Sequence, residues 1–204
     1  VQTLLTMREQ LVRERGAKQN ALHVLQRKHY PTPLAIRIAE DAVDYLKDRV
    51  AEIDAEVRRL VSSHPTLGPA IALVMSVPGV GYLLACHLCV ATDGFTRPLV
   101  AKRFSAWLGI CPLDYESGSS LRRRPSSRGY GPSAMRKLLD LAAMRLVPID
   151  GSSAQAYYRR KVAEGKSGRL VLNNVGNKVL RVVAAVLRDG VPYDADHVSV
   201  RPMI

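Results

Sequence analysis

Residues 34–62, LAIRIAEDAVDYLKDRVAEIDAEVRRLVS, decide the class of fold. Ile36, Ala39, Val43, Leu46, Val50, Ile53, Val57 and Leu60 follow one another at alternating spacings of three and four residues, an unbroken heptad seam on a helix from about Leu34 to Ser62. Ile36, Val43, Val50 and Val57 hold the a positions, and Leu46, Ile53 and Leu60 most of the d positions. β-Branched residues at a with Leu-like residues at d favour two parallel strands, and Arg49 at g would then attract Asp54 at the following e across the pair. The same seam also fits a preceding helix or the body of the chain.

Upstream, Leu4, Met7, Leu11, Leu22 and Leu25 mark a first helix from Val1 to about Lys28. His29-Tyr30-Pro31-Thr32-Pro33 interrupts it, because proline removes a helical donor and restrains its predecessor. Downstream of His64-Pro65 the pattern shortens. Helical segments cover Ala70–Met75, Tyr82–Ala91 and Leu99–Leu108, and a loop runs from Gly109 to Gly131. Pro132 then opens a helix to Val147, Ser153 caps one through Ala163, and Gly190 ends one over Arg169–Arg188. The expected fold is mainly α: long coiled-coil helices over residues 1–64, forming a dimerising hairpin, then a compact helical domain over 65–204.

Charge separates the same two parts. The 204 residues carry 30 Lys and Arg against 18 Asp and Glu, a net +12. Residues 1–64 contribute only +2 of that charge and residues 65–204 contribute +10. A polyanion is the natural partner of the second part. With aromatics at 5%, a base-stacking platform for single strands is disfavoured. No apolar run approaches the roughly 18 residues of a membrane span, and no secretory signal opens the chain. Three cysteines form too sparse a set for a disulfide scaffold and suit a reducing compartment.

Three constellations could carry chemistry. Val77-Pro78-Gly79-Val80-Gly81 joins two helices through a tight glycine turn, leaving amides at a helix start where a phosphate oxygen binds well. It resembles a helix–hairpin–helix element, with Val77 and Val80 anchoring it in the core. The loop after Tyr115 carries Ser117, Gly118, Arg122, Arg123, Arg124 and Arg128, followed by Arg136 and Lys137, with no acidic residue from Ser117 through Leu139. Guanidinium groups beside hydroxyls bind phosphate, and one hydroxyl could attack it; a solvated Ser/Arg loop has the same composition. Cys86-His87-Leu88-Cys89 has half the spacing of a zinc site but no second pair, so it reads as buried core and no metal site is expected.

Ser76–Gly81, Phe104–Pro112, Ser117-Gly118 and Arg136–Leu139 together resemble the C-terminal domain of insertion-sequence-110-type transposases. That family's pattern is an IPGVG hairpin, an AAYAGLTP helix end, an SSG turn and an LRRAL helix. Tyr157-Tyr158, Gly165-Lys166 and Leu187–Tyr193 fit its closing segment. Upstream, Arg8, Leu11-Val12, Arg15, Lys18, Asn20 and Leu25 fit the segment after its first domain. The resemblance implies a recombinase acting on donor and target DNA under a structured guide RNA. Ser117 corresponds to the nucleophile; the candidate nucleic-acid contacts, read from the glycine turn and the basic run themselves, are Pro78, Gly79, Val80, Gly81, Gly118, Arg122, Arg123, Arg124, Arg128, Arg136 and Lys137. It implies Mg²⁺ in an N-terminal RNase-H-like domain absent here, no cofactor in this chain, and little activity of this chain alone. A prokaryotic cytoplasmic, nucleoid-associated location follows from it too, while homo-oligomerisation through residues 34–62 is the expectation of the heptad seam. Gly131-Pro132 stands where the family usually has glycine-asparagine. A relative that inverts DNA, or a non-catalytic coiled-coil nucleic-acid binder, is the alternative.

Overall fold

The computed structural model describes residues 1–30, 32–117, 121–127 and 131–196, with residues 112–117 and 121–127 followed by their backbone. The described chain is mainly helical, as expected, and divides into two compact units, Val1–Gly68 and Pro69–Ile204.

The first unit is an antiparallel hairpin of α1 (Gln2–Gln26) and α2 (Pro33–Ser63). Proline occupies the first turn of α2, where no intrahelical donor is lost. Arg8 near the start of α1 forms a two-pronged ion pair with Asp54 near the end of α2, at 2.6 and 3.1 Å. At the other end Gln26 reaches Glu40 at 3.4 Å. Leu22, Leu46, Val50 and Ile53 are buried between these ties, and Leu5, Val57 and Val61 are buried beyond the Arg8–Asp54 pair. The central and C-terminal part of the heptad seam is therefore covered within the chain by α1.

The expected pairing of Arg49 with Asp54 across a parallel dimer has competitors within the chain. Asp54 is taken by Arg8, while Arg49 pairs with Glu52 at 2.6 Å on its own helix and lies over the Tyr45 ring. A heptad seam specifies which face is buried, not which helix buries it. What α2 leaves exposed is a second stripe, Leu34, Ile38 and Tyr45.

The second unit contains α3 (Leu67–Met75, which begins at the junction), α4 (Tyr82–Ala91), α5 (Ala101–Trp107), β1 (Pro112–Ser117), β2 (Leu121–Ser127), α6 (Ser133–Leu146), α7 (Ser153–Ala163) and α8 (Gly168–Asp189). Its centre is α8, which packs on α5, α6 and α7. Val171, Val175, Val179, Leu180, Val183 and Val186 recur at helical spacing and are all buried. Gly176 faces α6, where a Cβ would make ordinary van der Waals contact with Leu139, 3.6 Å from its carbonyl oxygen. Leu84, Leu88, Leu108 and Leu139 complete the core. Each such leucine replaced by alanine would cost about 2–5 kcal/mol. By length and composition α8 is apolar enough to cross a membrane, but its valine stripe faces core, as in the central helix of a globular unit.

Local signals end the helices where they should. Ser152 and Ser167 accept the Gln155 and Leu170 amides as N-caps of α7 and α8. Gly190, at φ +71°, closes α8 through its amide to the Val186 carbonyl. Three expectations shift: Ser152 rather than Ser153 caps α7, Pro132 is the N-cap rather than the first residue of α6, and α5 starts at Ala101. The larger correction concerns residues 109–131. They hold a two-stranded antiparallel hairpin, in register from Pro112 opposite Ser127 to Ser117 opposite Leu121, with an irregularity between Leu113 and Tyr115. Pro125 and the arginine run lie on β2. In a two-stranded sheet both strands are edges, so proline and charge are tolerated.

Candidate nucleic-acid interface

The glycine turn between α3 and α4 is built by two conditions on Gly79. Its φ is +83°, and a Cβ there would lie 2.9 Å from the Ala142 carbonyl oxygen and from Leu146 Cγ on α6. Only glycine meets both without displacement. Val77 and Val80 are buried, as the sequence suggested, and the Val80 amide donates to the Val77 carbonyl at 3.0 Å. Pro78 and Gly79 form the turn itself, and Gly81 is the N-cap of α4. The guanidinium of Arg145 comes within 3.9 Å of a Cβ built on Gly81, adding a cation beside the positive end of α4. Ser76 ties the turn to the C-terminal segment: its hydroxyl donates to the Leu73 carbonyl at 2.7 Å and accepts the Tyr193 amide at 2.8 Å.

Ser117 ends β1, with Leu121 as its cross-strand partner. Arg122 stands opposite Glu116 and Arg123 opposite Tyr115, while Arg124 follows on β2. The hairpin thus brings Ser117 and the arginine run together along five residues of chain. Gly118 and Arg128 lie outside the described residues. Where the chain returns from β2, Gly131 adopts φ +90°, and a Cβ there would sit 2.3 Å from the Trp107 carbonyl oxygen. Glycine is required at this point by contact as well as by torsion. At the base of β1, Asn173 on α8 donates its side-chain amide to the Ile110 carbonyl at 2.9 Å.

Arg136 and Lys137 occupy the first turns of α6, Arg136 half-buried and Lys137 exposed. Thus α6 separates the two candidate phosphate sites: the hairpin joins its N-terminal end, and the glycine turn packs near its C-terminal end. Its 14 residues put those ends roughly 20 Å apart. The two candidate sites therefore lie apart on one unit.

Sequence reasoning missed Arg145 and Asn173, and it read Ser76 as part of the glycine-turn motif without its tie to Tyr193. Asn173 had a signal: Asn173, Asn174 and Asn177 are amides in an otherwise valine-rich helix. Arg145 and the Ser76 tie had none, since their neighbours come from distant segments.

Cys86 and Cys89 lie in the buried face of α4, and burial pushes the Cys89 thiol above its ordinary range. Both behave as small core residues. Among the described residues no three of His, Cys, Asp and Glu come together in a way that could hold a metal ion. Asp114 and Glu116 flank Tyr115 on β1.

Residues 71–159 match the model of the Transposase IS116/IS110/IS902 family. That span contains the glycine turn, the hairpin, α6 and the first part of α7. The pilin gene-inverting protein of Moraxella bovis is 25% identical over 195 residues, covering 94% of this chain and 58% of the relative. The counterpart of Moraxella lacunata is 24% identical over the same length. An IS110 insertion-element protein of Streptomyces coelicolor is 29% identical over 143 residues, 70% of this chain and 34% of its own. The chain therefore spans somewhat more than half the length of the pilin gene-inverting proteins it matches.

Proposed function

We propose that this chain, which belongs to the IS116/IS110/IS902 family of transposases, forms the part of a DNA recombinase that grips DNA phosphates and supplies Ser117 as the nucleophile. The observation that carries the reading is the hairpin, which sets Ser117 at the end of one strand and Arg122, Arg123 and Arg124 on the other.

In that role the Ser117 hydroxyl oxygen attacks phosphorus, forming a phosphoserine ester as the phosphorus–oxygen bond to one deoxyribose breaks. The released sugar oxygen takes up a proton. The ester conserves the bond for rejoining, because attack by a second sugar hydroxyl restores the diester and frees the serine. A serine hydroxyl is a poor nucleophile unaided, and the extra negative charge of the pentavalent phosphorane needs cations nearby. Arg122, Arg123 and Arg124, with Arg128, Arg136 and Lys137, are the proposed source. The glycine turn, Pro78 to Gly81, with Arg145, is a second phosphate grip in the manner of a helix–hairpin–helix.

An activating ion would belong to the portion of the relatives' length that this chain does not span, and the isolated chain would bind nucleic acid without cutting it. A structured guide RNA is the proposed second nucleic-acid partner. Self-association through residues 34–62 falls to the exposed stripe Leu34, Ile38 and Tyr45, since α1 already covers much of the heptad seam. The bacterial relatives suit a cytoplasmic, nucleoid-associated protein.

Inversion of DNA is the alternative outcome within the family, prompted by the Moraxella pilin gene-inverting proteins that align over 94% of this chain. The test is strand exchange by the complete recombinase carrying this chain. Ser117→Ala should abolish exchange and leave DNA affinity within a few fold. Recombination by the alanine variant would remove Ser117 from the mechanism.

A further inference from the structure

The segment joining α4 to α5 is held in an unusual backbone. Asp93, Gly94 and Phe95 all have positive φ, at +53°, +70° and +64°. For a phenylalanine that conformation is costly, and it persists only where surrounding bonds impose it. Here the Gly94 amide donates to the Cys89 carbonyl at 2.8 Å, the Arg97 amide to the Thr92 carbonyl at 3.0 Å, and the buried Thr92 hydroxyl to the Leu88 carbonyl at 2.7 Å. The result fixes Arg97 and Pro98 beside α5.

Between this segment and α5 lies an open cavity of about 480 Å³, lined by Ala91, Arg97, Pro98, Val100, Arg103, Phe104 and Trp107. That volume is within the usual range of small-ligand sites. Phe104 and Trp107 stand one turn apart with ring centroids 5.0 Å from each other. Trp107, the chain's single tryptophan, remains 48% exposed. Arg97 and Arg103 are both exposed, and Lys102 adds a third exposed cation on α5.

We infer that this cavity receives one unpaired base of single-stranded DNA, stacked on Trp107, with Arg97 and Arg103 on the flanking phosphates. The chemistry fits each part: an aromatic face for the base, apolar walls for its edges, and cations at the rim. The lining side chains hold no acceptor for a ribose 2′-hydroxyl, and the donors that could serve its oxygen, Arg97 and Arg103, are the ones assigned to the phosphates. Low aromatic content argues against a continuous stacking platform but leaves room for one base at one tryptophan. The cavity is also joined to the proposed reaction site, because Trp107 ends the helix that leads into β1 and its carbonyl is the atom that Gly131 approaches. The inference rests on the nucleic-acid-binding reading of this unit but not on the role of Ser117.

The test uses the emission of Trp107, which reports on this site alone. The chain is titrated with a thymidine oligonucleotide of about twelve nucleotides, with an abasic strand of equal phosphate number, with a duplex and with a uridine oligonucleotide, binding being followed in parallel by anisotropy. The thymidine strand should quench the emission, whereas the bound abasic strand and duplex should leave it nearly unchanged. Trp107→Ala should weaken thymidine-strand binding about 5- to 100-fold and leave abasic-strand binding alone, and Trp107→Phe should restore affinity to within about threefold. Ser117→Ala should leave the quench intact. A bound thymidine strand without quenching, equal weakening of both strands by Trp107→Ala, or tighter quenching by the uridine strand would overturn the assignment. Failure of every strand to bind would overturn the nucleic-acid reading as well.

Discussion

The side-chain amide of Asn173 on α8 donates to the main-chain carbonyl of Ile110 at 2.9 Å, joining the central helix to the root of the hairpin across 63 residues of sequence. Ile110 is buried, so its carbonyl has little access to water if the amide is removed. Asn173→Ala should lower the stability of the chain by about 1–3 kcal/mol, the cost of a buried acceptor left unpaired. Asn177→Ala removes a bond only to the Asn173 carbonyl of its own helix and should cost less, about 0.5–1.5 kcal/mol. Urea midpoints of the two variants compare them directly, and equal losses would show that the tie to Ile110 carries no special weight.

Glycine substitutions should divide sharply by position. Gly131→Ala brings a Cβ to 2.3 Å from the Trp107 carbonyl oxygen at a φ of +90°. The torsion alone costs about 1–3 kcal/mol, and the clash adds to it. Gly16, in the interior of α1 with nothing within 4 Å, should behave in the opposite way, Gly16→Ala stabilising by about 0.5–1 kcal/mol. Thermal midpoints that move in the same direction for both would contradict the geometry.

The two apolar faces of α2 should respond differently to charge. Val57 is almost wholly buried within the helical hairpin, and Val57→Asp should unfold the first unit, because an unpaired carboxylate there costs several kcal/mol. Ile38 is exposed, and Ile38→Asp should keep helicity while shifting sedimentation from oligomer to monomer. A parent chain already monomeric at micromolar concentration would remove self-association from the account.

Binding of duplex DNA should depend steeply on salt. With about 4–6 basic residues on phosphates, the slope of log affinity against log salt should be roughly −4 to −5. Arg122→Ala, Arg123→Ala and Arg124→Ala together should flatten it by up to about 3 units, and Arg145→Ala by about 1. An unchanged slope in the triple variant would take the hairpin off the DNA backbone.

The helices were legible because their signals are local. Tyr82–Ala91 has the bounds expected of it, and Gly190 ends α8 as expected. The heptad seam located the buried face of α2 but not its partner, since Leu5 and Leu22 on α1 and a second copy of α2 present the same chemistry to it. The hairpin escaped because strand propensity is a packing preference, and Arg122–Arg124 with Pro125 lack the alternation by which strands are read. Of the candidate site, the residue types were visible and their spacing along α6 was not. Nothing in Arg145 or Ser76 marks them as neighbours of Gly81 or Tyr193 until the helices are packed.

The most direct measurement is the site of covalent attachment when the complete recombinase carrying this chain is stopped during strand exchange, digested and sequenced by mass spectrometry. The account predicts a nucleotide ester on the peptide containing Ser117, absent in Ser117→Ala and absent when this chain is incubated alone with Mg²⁺ and DNA. An ester on any other residue, or strand exchange without a serine adduct, would contradict it.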